Sequence, residues 1–137
     1  MKSIPDSRDA MVLRTDFSDD AAWEVVCQEI EEPVGEFRAY VDFLSDKSLK
    51  DLKPNELLSM VPKNYRHTFI FVVDQFTLSH PEHPILVIDL HDNPGDEFRV
   101  IPSEMWGIEN NLSTANMSFE EFADEVNDDG IFRGIPQ

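Results

Sequence analysis

Four consecutive apolar residues, Ile85, Leu86, Val87 and Ile88, stand in mid-chain with no polar residue between them. A strand with one wet face alternates apolar and polar residues, so an unbroken run of aliphatic side chains predicts a strand covered on both faces. Such a strand belongs inside a sheet flanked by helices, which restricts the chain to the α/β class. His67 to Asp74, reading HTFIFVVD, is a second run of the same kind. Two such strands need apolar material on each side of the sheet. With 137 residues, 10 phenylalanines and 41% apolar side chains, the chain can supply that in one domain.

The remaining elements are read from periodicity and turn chemistry. Met11 to Thr15 is a predicted strand. Ser18 is a predicted helix cap, with Asp19 and Asp20 in the first turn, where the helix dipole favours carboxylates. Trp23, Val26, Cys27 and Ile30 share one helical face. Phe37, Ala39, Val41 and Phe43 alternate with Arg38, Tyr40 and Asp42, which predicts a half-buried strand nearer an edge. Ser45 to Lys53 is polar and predicted to be a mobile loop, and Pro54 opens a short helix that Pro62 stops. Gln75 to Pro84 is short for a parallel crossover, so the direction of the Ile85 strand stays open. His91 to Glu97 predicts a hairpin turn returning the chain through Phe98 to Ile101. Ser103 is a predicted cap for a helix carrying Met105, Ile108 and Leu112. Ser118 with Glu121 forms a capping box before Phe119, Phe122, Ala123 and Val126, and Gly130 is the expected stop, with Ile131 to Gln137 trailing off. The predicted fold is a single acidic α/β domain over residues 1–137. Its sheet is mixed and mostly parallel, with helices on its faces and a hairpin near the C-terminal half.

Charge narrows the function classes. The chain carries 28 acidic against 11 basic side chains, a net of −17. Direct nucleic-acid binding needs a basic stripe, and the Lys47, Lys50, Lys53 cluster is interrupted by Asp46 and Asp51. The acidity suits either a solvated surface or a face that docks a basic protein partner. A single cysteine, Cys27, excludes an internal disulfide framework, and no run approaches a membrane span. A soluble, cytoplasmic protein is expected.

No catalytic motif is complete. None of the five glycines lies in a GxGxxG or GxxxxGK[ST] pattern, no GxSxG elbow occurs, and no cofactor is implied. Aspartates do follow predicted strands: Asp16, Asp42, Asp74 and Asp89. In an open α/β sheet, ligands bind outside the carboxyl ends of the strands, so Asp16, Asp74 and Asp89 are candidate ligands for a divalent metal in a hydrolase. The competing reading is that they cap turns, as aspartates commonly do. A second candidate is Trp106 with Asn110 and Asn111, an indole flanked by amides suited to binding a small ligand, against which stands a role in packing and in satisfying backbone groups. His80, His83 and His91 lie in or beside proline-bounded loops and are expected to be surface histidines. Arg14, Arg99 and Arg133 are expected to pair locally with aspartates.

The segments RTDFSDDAAW, HPILVIDL and FRVIPSEMWGIENNLSTANMSFEEFADEVNDDGIFRG together resemble a family of small bacterial and fungal domains of unknown function. The resemblance implies a compact single domain and brings no catalytic or ligand residues with it. Two functions therefore compete: a non-enzymatic interaction module of regulatory or immunity type, and a metal-dependent hydrolase built on the strand-end aspartates.

Overall fold

The structure is a computed structural model describing residues 3–135. Among these, six strands form one mixed sheet: β1 (Ala10–Arg14), β2 (Val41–Leu44), β3 (Phe69–Val73), β4 (Ile85–Asp89), β5 (Glu97–Val100) and β6 (Ile131–Phe132). Their order across the sheet is β2-β1-β3-β4-β5-β6. β1 is parallel to β2 and β3, and β5 is parallel to β6, whereas β4 is antiparallel to both β3 and β5. The helices are α1 (Asp20–Glu31), α2 (Pro54–Ser59), α3 (Gln75–Ser79), α4 (Met105–Ser113) and α5 (Phe119–Ala123). This is the mixed α/β domain that the two apolar runs require.

Both runs are covered on both faces. Val12, Phe69, Phe71, Val73, Ile85, Val87, Phe98 and Val100 project to one side, where α1, α4 and α5 supply Trp23, Val26, Ile30, Met105, Ile108, Phe119 and Phe122. Met11, Leu13, Ile70, Val72, Leu86 and Ile88 project to the other, against Ile4, Leu49 and Leu57. Burying each such side chain is favourable by roughly 1.5–3 kcal/mol. The consequence for function is topological. α1 and α3, which follow the carboxyl ends of β1 and β3, lie on one face, whereas the chain leaving β2 passes through Leu49 to α2 on the other.

Several local expectations are corrected. The cap of α1 is Asp19, whose carboxylate accepts from the Ala22 amide at 3.0 Å, while the Ser18 hydroxyl donates to Asp16. The alternating segment from Phe37 becomes a ladder only at Val41. Before it, Val34 and Phe37 close a tight bridge over Gly35 at φ +62°, and the Tyr40 amide bonds to a side chain instead of a strand. The polar stretch after Ser45 contains a 3-10 turn, Lys47–Leu49, capped by Asp46 and pinned by the buried Leu49. Gln75 to Pro84 contains α3, too short for its periodicity to register, and it returns the chain antiparallel. Ser103 makes no cap, because a 3-10 turn at Pro102–Glu104 leads directly into α4. Ser118 does form its capping box, but α5 ends at Ala123, well before Gly130, and Ile131–Phe132 is an edge strand paired with β5.

Cys27 lies on the buried face of α1 at 8% exposure. Burial, reinforced by the charges of Glu24 and Glu31, pushes its thiol up to about 12. The thiolate is the reacting species, so Cys27 is expected to resist iodoacetamide at about pH 8 in the folded protein and to react once denaturant is added. Rapid labelling of the native protein would contradict this placement.

Candidate functional site

A cavity of about 480 Å³ lies outside the carboxyl ends of β1 and β3, lined by Thr15, Asp16, Asp51, Leu52, Asp74, Gln75 and Phe76. Two of the three aspartates expected to bind metal, Asp16 and Asp74, therefore meet in one place. Asp51 joins them from the loop after the 3-10 turn. Its amide donates to the Thr15 carbonyl at 2.8 Å, and its backbone adopts φ +60°, an uncommon state for a residue with a side chain.

Each of these carboxylates has a different environment. Asp16 is 9% exposed, and its Oδ1 accepts from the amide and hydroxyl of Ser18 at 2.8 and 2.5 Å. Asp74 caps α3 through the Thr77 amide and is clamped by Arg99, whose Nη1 and Nη2 lie 2.9 and 2.8 Å from its two oxygens. Burial pushes the Asp74 carboxyl up, but the Arg99 hydrogen bonds and charge, with help from Thr77, outweigh it and hold it below the usual carboxylate value. Arg99 also donates to the Pro84 carbonyl and lies over the Phe76 ring at 4.5 Å. Asp51 is exposed.

The third expected ligand is elsewhere. Asp89 ends β4, and because β4 is antiparallel to β3 it sits opposite Phe69, at the amino end of β3. Phe69 to Asp74 is five residues, or roughly 17 Å of extended chain, so Asp89 cannot share an ion with Asp16 and Asp74, whose oxygens would need to reach it at ~2.0–2.6 Å. Asp89 instead caps the hairpin turn, accepting from the amides of His91 and Asn93 at 3.0 and 2.9 Å. No group of three His, Cys, Asp or Glu side chains among the described residues is arranged to hold a metal. The histidines are separate: His83 bonds Glu29 at 2.6 Å, His80 accepts from the Glu82 amide, and His91 is exposed.

Around Asp89 the hairpin and α5 form a groove of about 370 Å³ lined by Asp92, Asn93, Asp96, Glu97, Phe119, Glu120, Ala123 and Asp124. An adjoining cavity shares Asp89, Asp92 and Phe119 and extends past Met117 and Glu121 to Leu112. Beyond His67 the only Lys or Arg residues in the sequence are Arg99 and Arg133. Arg99 is held by Asp74. Arg133 forks to Glu82 at 2.8 and 2.9 Å and to Asp129 at 2.7 and 3.1 Å. The groove carboxylates are thus left without an arginine or lysine among the described residues that line it.

Trp106, Asn110 and Asn111 are brought together by α4 but are engaged within the fold. Trp106 stacks on Phe37 at 4.4 Å with 14° between the planes. Asn110 donates to the Arg38 carbonyl at 3.2 Å, and Asn111 donates to the Gly107 carbonyl and accepts from Asn116. The residue that sequence reasoning missed here is Glu109. It is 5% exposed and accepts from the Tyr40 amide at 2.7 Å and from Ser113 and Asn110, so a buried carboxylate anchors the chain entering β2 onto α4. Its position among polar neighbours in the sequence hid it, because its partner lies far away along the chain.

Compared with known proteins, residues 9–135 match the family model described as Domain of unknown function (DUF6924). The chain belongs to the DUF6924 family. The match takes in both cavities, the Arg99–Asp74 clamp and the Trp106 cluster. No curated protein matches the chain. None of the helices among the described residues is long and apolar enough to cross a membrane.

Proposed function

We propose that this DUF6924 domain is a non-enzymatic, cytoplasmic interaction module of regulatory or immunity type that docks a basic polypeptide along the groove between the β4–β5 hairpin and α5. The observation that carries the reading is the charge arrangement. Asp92, Asp96, Glu97, Glu120 and Asp124 ring a groove with Phe119 and Ala123 in its lining, while the arginines of this half of the chain are tied into ion pairs elsewhere. Concentrated charge of one sign speeds encounter with an oppositely charged partner and selects against acidic ones. The apolar lining gives aliphatic stems of lysine or arginine something to cover. The strand-end aspartates favour this over the hydrolase, since Asp74 and Asp89 already serve as caps and lie at opposite ends of the strands. The free thiol of Cys27 suits a reducing compartment.

The test compares two sets of charge removals. A labelled peptide of alternating lysine and leucine is expected to bind with an affinity that falls as salt rises from about 0.05 to 0.2 M. Combining Asp92→Asn, Glu120→Gln and Asp124→Asn should weaken it ~10-fold or more. Combining Glu24→Gln, Glu31→Gln and Glu36→Gln, which removes equal charge outside the groove, should change it far less. Equal losses in the two sets would sink the proposal, because they would mean diffuse attraction to the whole molecule.

A further inference from the structure

We infer that the free edge of β2 is a docking surface for an acidic, extended segment of another polypeptide, which adds to the sheet as a further strand. Among the described residues β2 ends the sheet, with β1 as its only neighbour. In such a ladder the main-chain groups of every second residue point away from the neighbour. No hydrogen bond outside the ladder engages the main chain of Val41–Leu44 among the described residues. Every residue of β2 is partly exposed, whereas β1, β3 and β4 are buried throughout. An extended segment laid along this edge completes those bonds, the mode in which main-chain pairing supplies affinity and side chains supply selectivity.

The edge is open where folds commonly close it. Edge strands are protected by proline, by bulges, by lysine or by a covering segment. Val41–Leu44 contains no proline or lysine and pairs with β1 in unbroken register. Asp42 is its one charged residue, and that carboxylate accepts from the Asp9 amide at 3.0 Å. Beside the amino end of β2 stand Phe37 and Tyr40, 51% and 52% exposed. Both are fixed, Phe37 by its stack on Trp106 and Tyr40 by the bond from its amide to Glu109. Exposed aromatics held in place offer a partner apolar anchors at little cost in side-chain freedom. The opposite edge offers less, since β6 has two residues, both buried, close to Asp128 and Asp129.

Charge selects the partner. From Phe37 to Lys53 the four basic residues Arg38, Lys47, Lys50 and Lys53 outnumber the three acidic ones, Asp42, Asp46 and Asp51, the reverse of the balance in the whole chain. Arg38 precedes β2, and Lys47 and Lys50 follow it. All three are exposed, and none forms an ion pair among the described residues. Asp42 and Asp46, by contrast, are engaged by the Asp9 and Ser48 amides. Carboxylates on an incoming strand therefore meet unpaired cations at both ends of β2. A second copy of this chain fits poorly. Antiparallel pairing of two β2 edges brings Arg38 of one copy towards Lys47 of the other, and each copy carries a net charge of −17. The surface is separate from the acidic groove, with β1, β3 and β4 lying between β2 and β5.

The test titrates the full chain with a short labelled peptide of alternating glutamate and valine, read by fluorescence anisotropy and by amide hydrogen exchange. The peptide is expected to saturate one site, more weakly as salt rises from about 0.05 to 0.2 M. It should slow exchange at every second amide of Val41–Leu44 by ~10-fold or more. Combining Arg38→Gln, Lys47→Gln and Lys50→Gln, all at exposed positions, should weaken binding ~10-fold or more. Two further peptides carry N-methyl groups on one or the other set of alternate residues. One of them should bind ~10-fold or more weakly, because it presents no donors to β2. Asp124→Asn in the groove should change nothing. The inference is overturned if the peptide does not saturate, if both methylated peptides bind as well as the parent, or if the protected amides are those of Ile131 and Phe132. It is equally overturned if the β2 amides are already protected in a dimer of the free chain. Because the groove residues take no part, failure here leaves the docking proposal for the groove standing.

Discussion

Replacing Phe71 with alanine is expected to lower the unfolding free energy by ~3–5 kcal/mol, the range for emptying a phenylalanine site in a tight core. Phe71 is the middle residue of β3, is fully buried, and is paired to Val12 on one side and Val87 on the other. Its ring meets Phe69 edge-on at 5.4 Å, within the larger core between the sheet and α1, α4 and α5. Paired strands on both sides keep the backbone from collapsing into the void, so the upper part of the range applies. Domains of this size have ~5–15 kcal/mol in total, and the loss corresponds to a fall in Tm of roughly 10–20 °C. Urea and thermal unfolding measure it. A loss below ~1 kcal/mol would show that the two halves of the sheet do not share this core.

The second large effect belongs to Arg99→Met. Arg99 and Asp74 are 20% and 26% exposed, and the pair links β5 to the end of β3 across the entrance to α3. Removing one partner strands a largely buried carboxylate, which costs ~3–5 kcal/mol when fully buried. Partial exposure brings the expectation down to ~2–3 kcal/mol at neutral pH. The pH dependence gives the sign. In the wild type the Asp74 carboxyl is held below its ordinary value, so its contribution is present above the unfolded value of ~3.9 and fades as pH falls through the lower folded value. Without Arg99 the burial that raises this carboxyl is opposed only by the Thr77 hydrogen bonds, so its folded value should rise. The variant should then lack the stabilisation that the wild type gains as Asp74 ionises, and the gap to wild type should narrow on acidification below about pH 4. Adding Asp74→Asn to Arg99→Met should recover part of the loss, because the stranded charge is gone. A pH-independent gap, or no recovery in the double variant, would show that Arg99 acts through packing on Phe76 instead.

The two cavities show how far residue patterns reach towards a site. Asp16 and Asp74 were recognisable because both follow apolar runs, and strand ends in α/β sheets are where ligands collect. Asp89 satisfies the same pattern but ends an antiparallel strand, which reverses its position in the sheet. Asp51 carried no signal, since it sits in a polar stretch, and only its amide bond to Thr15 brings it to the cavity. The pairing of isolated arginines with aspartates was legible in kind, because an acidic chain offers each guanidinium many partners. Which partner each one takes, and hence which carboxylates are left uncompensated, was not.

From sequence alone follow the α/β class, the double covering of β3 and β4, the β4–β5 hairpin, and the capping of α5 by Ser118. These rest on periodicity and turn chemistry that operate within a few neighbouring residues. The tertiary structure decided the antiparallel direction of β4, the pairing of Ile131–Phe132 with β5, and the anchoring of Tyr40 by Glu109. It also decided the separation of Asp89 from Asp16 and Asp74. The physical reason is range. A short helix such as α3 or a two-residue edge strand has too little local preference to declare itself, and takes its shape from burial and hydrogen-bond partners that the chain meets only after it has folded back.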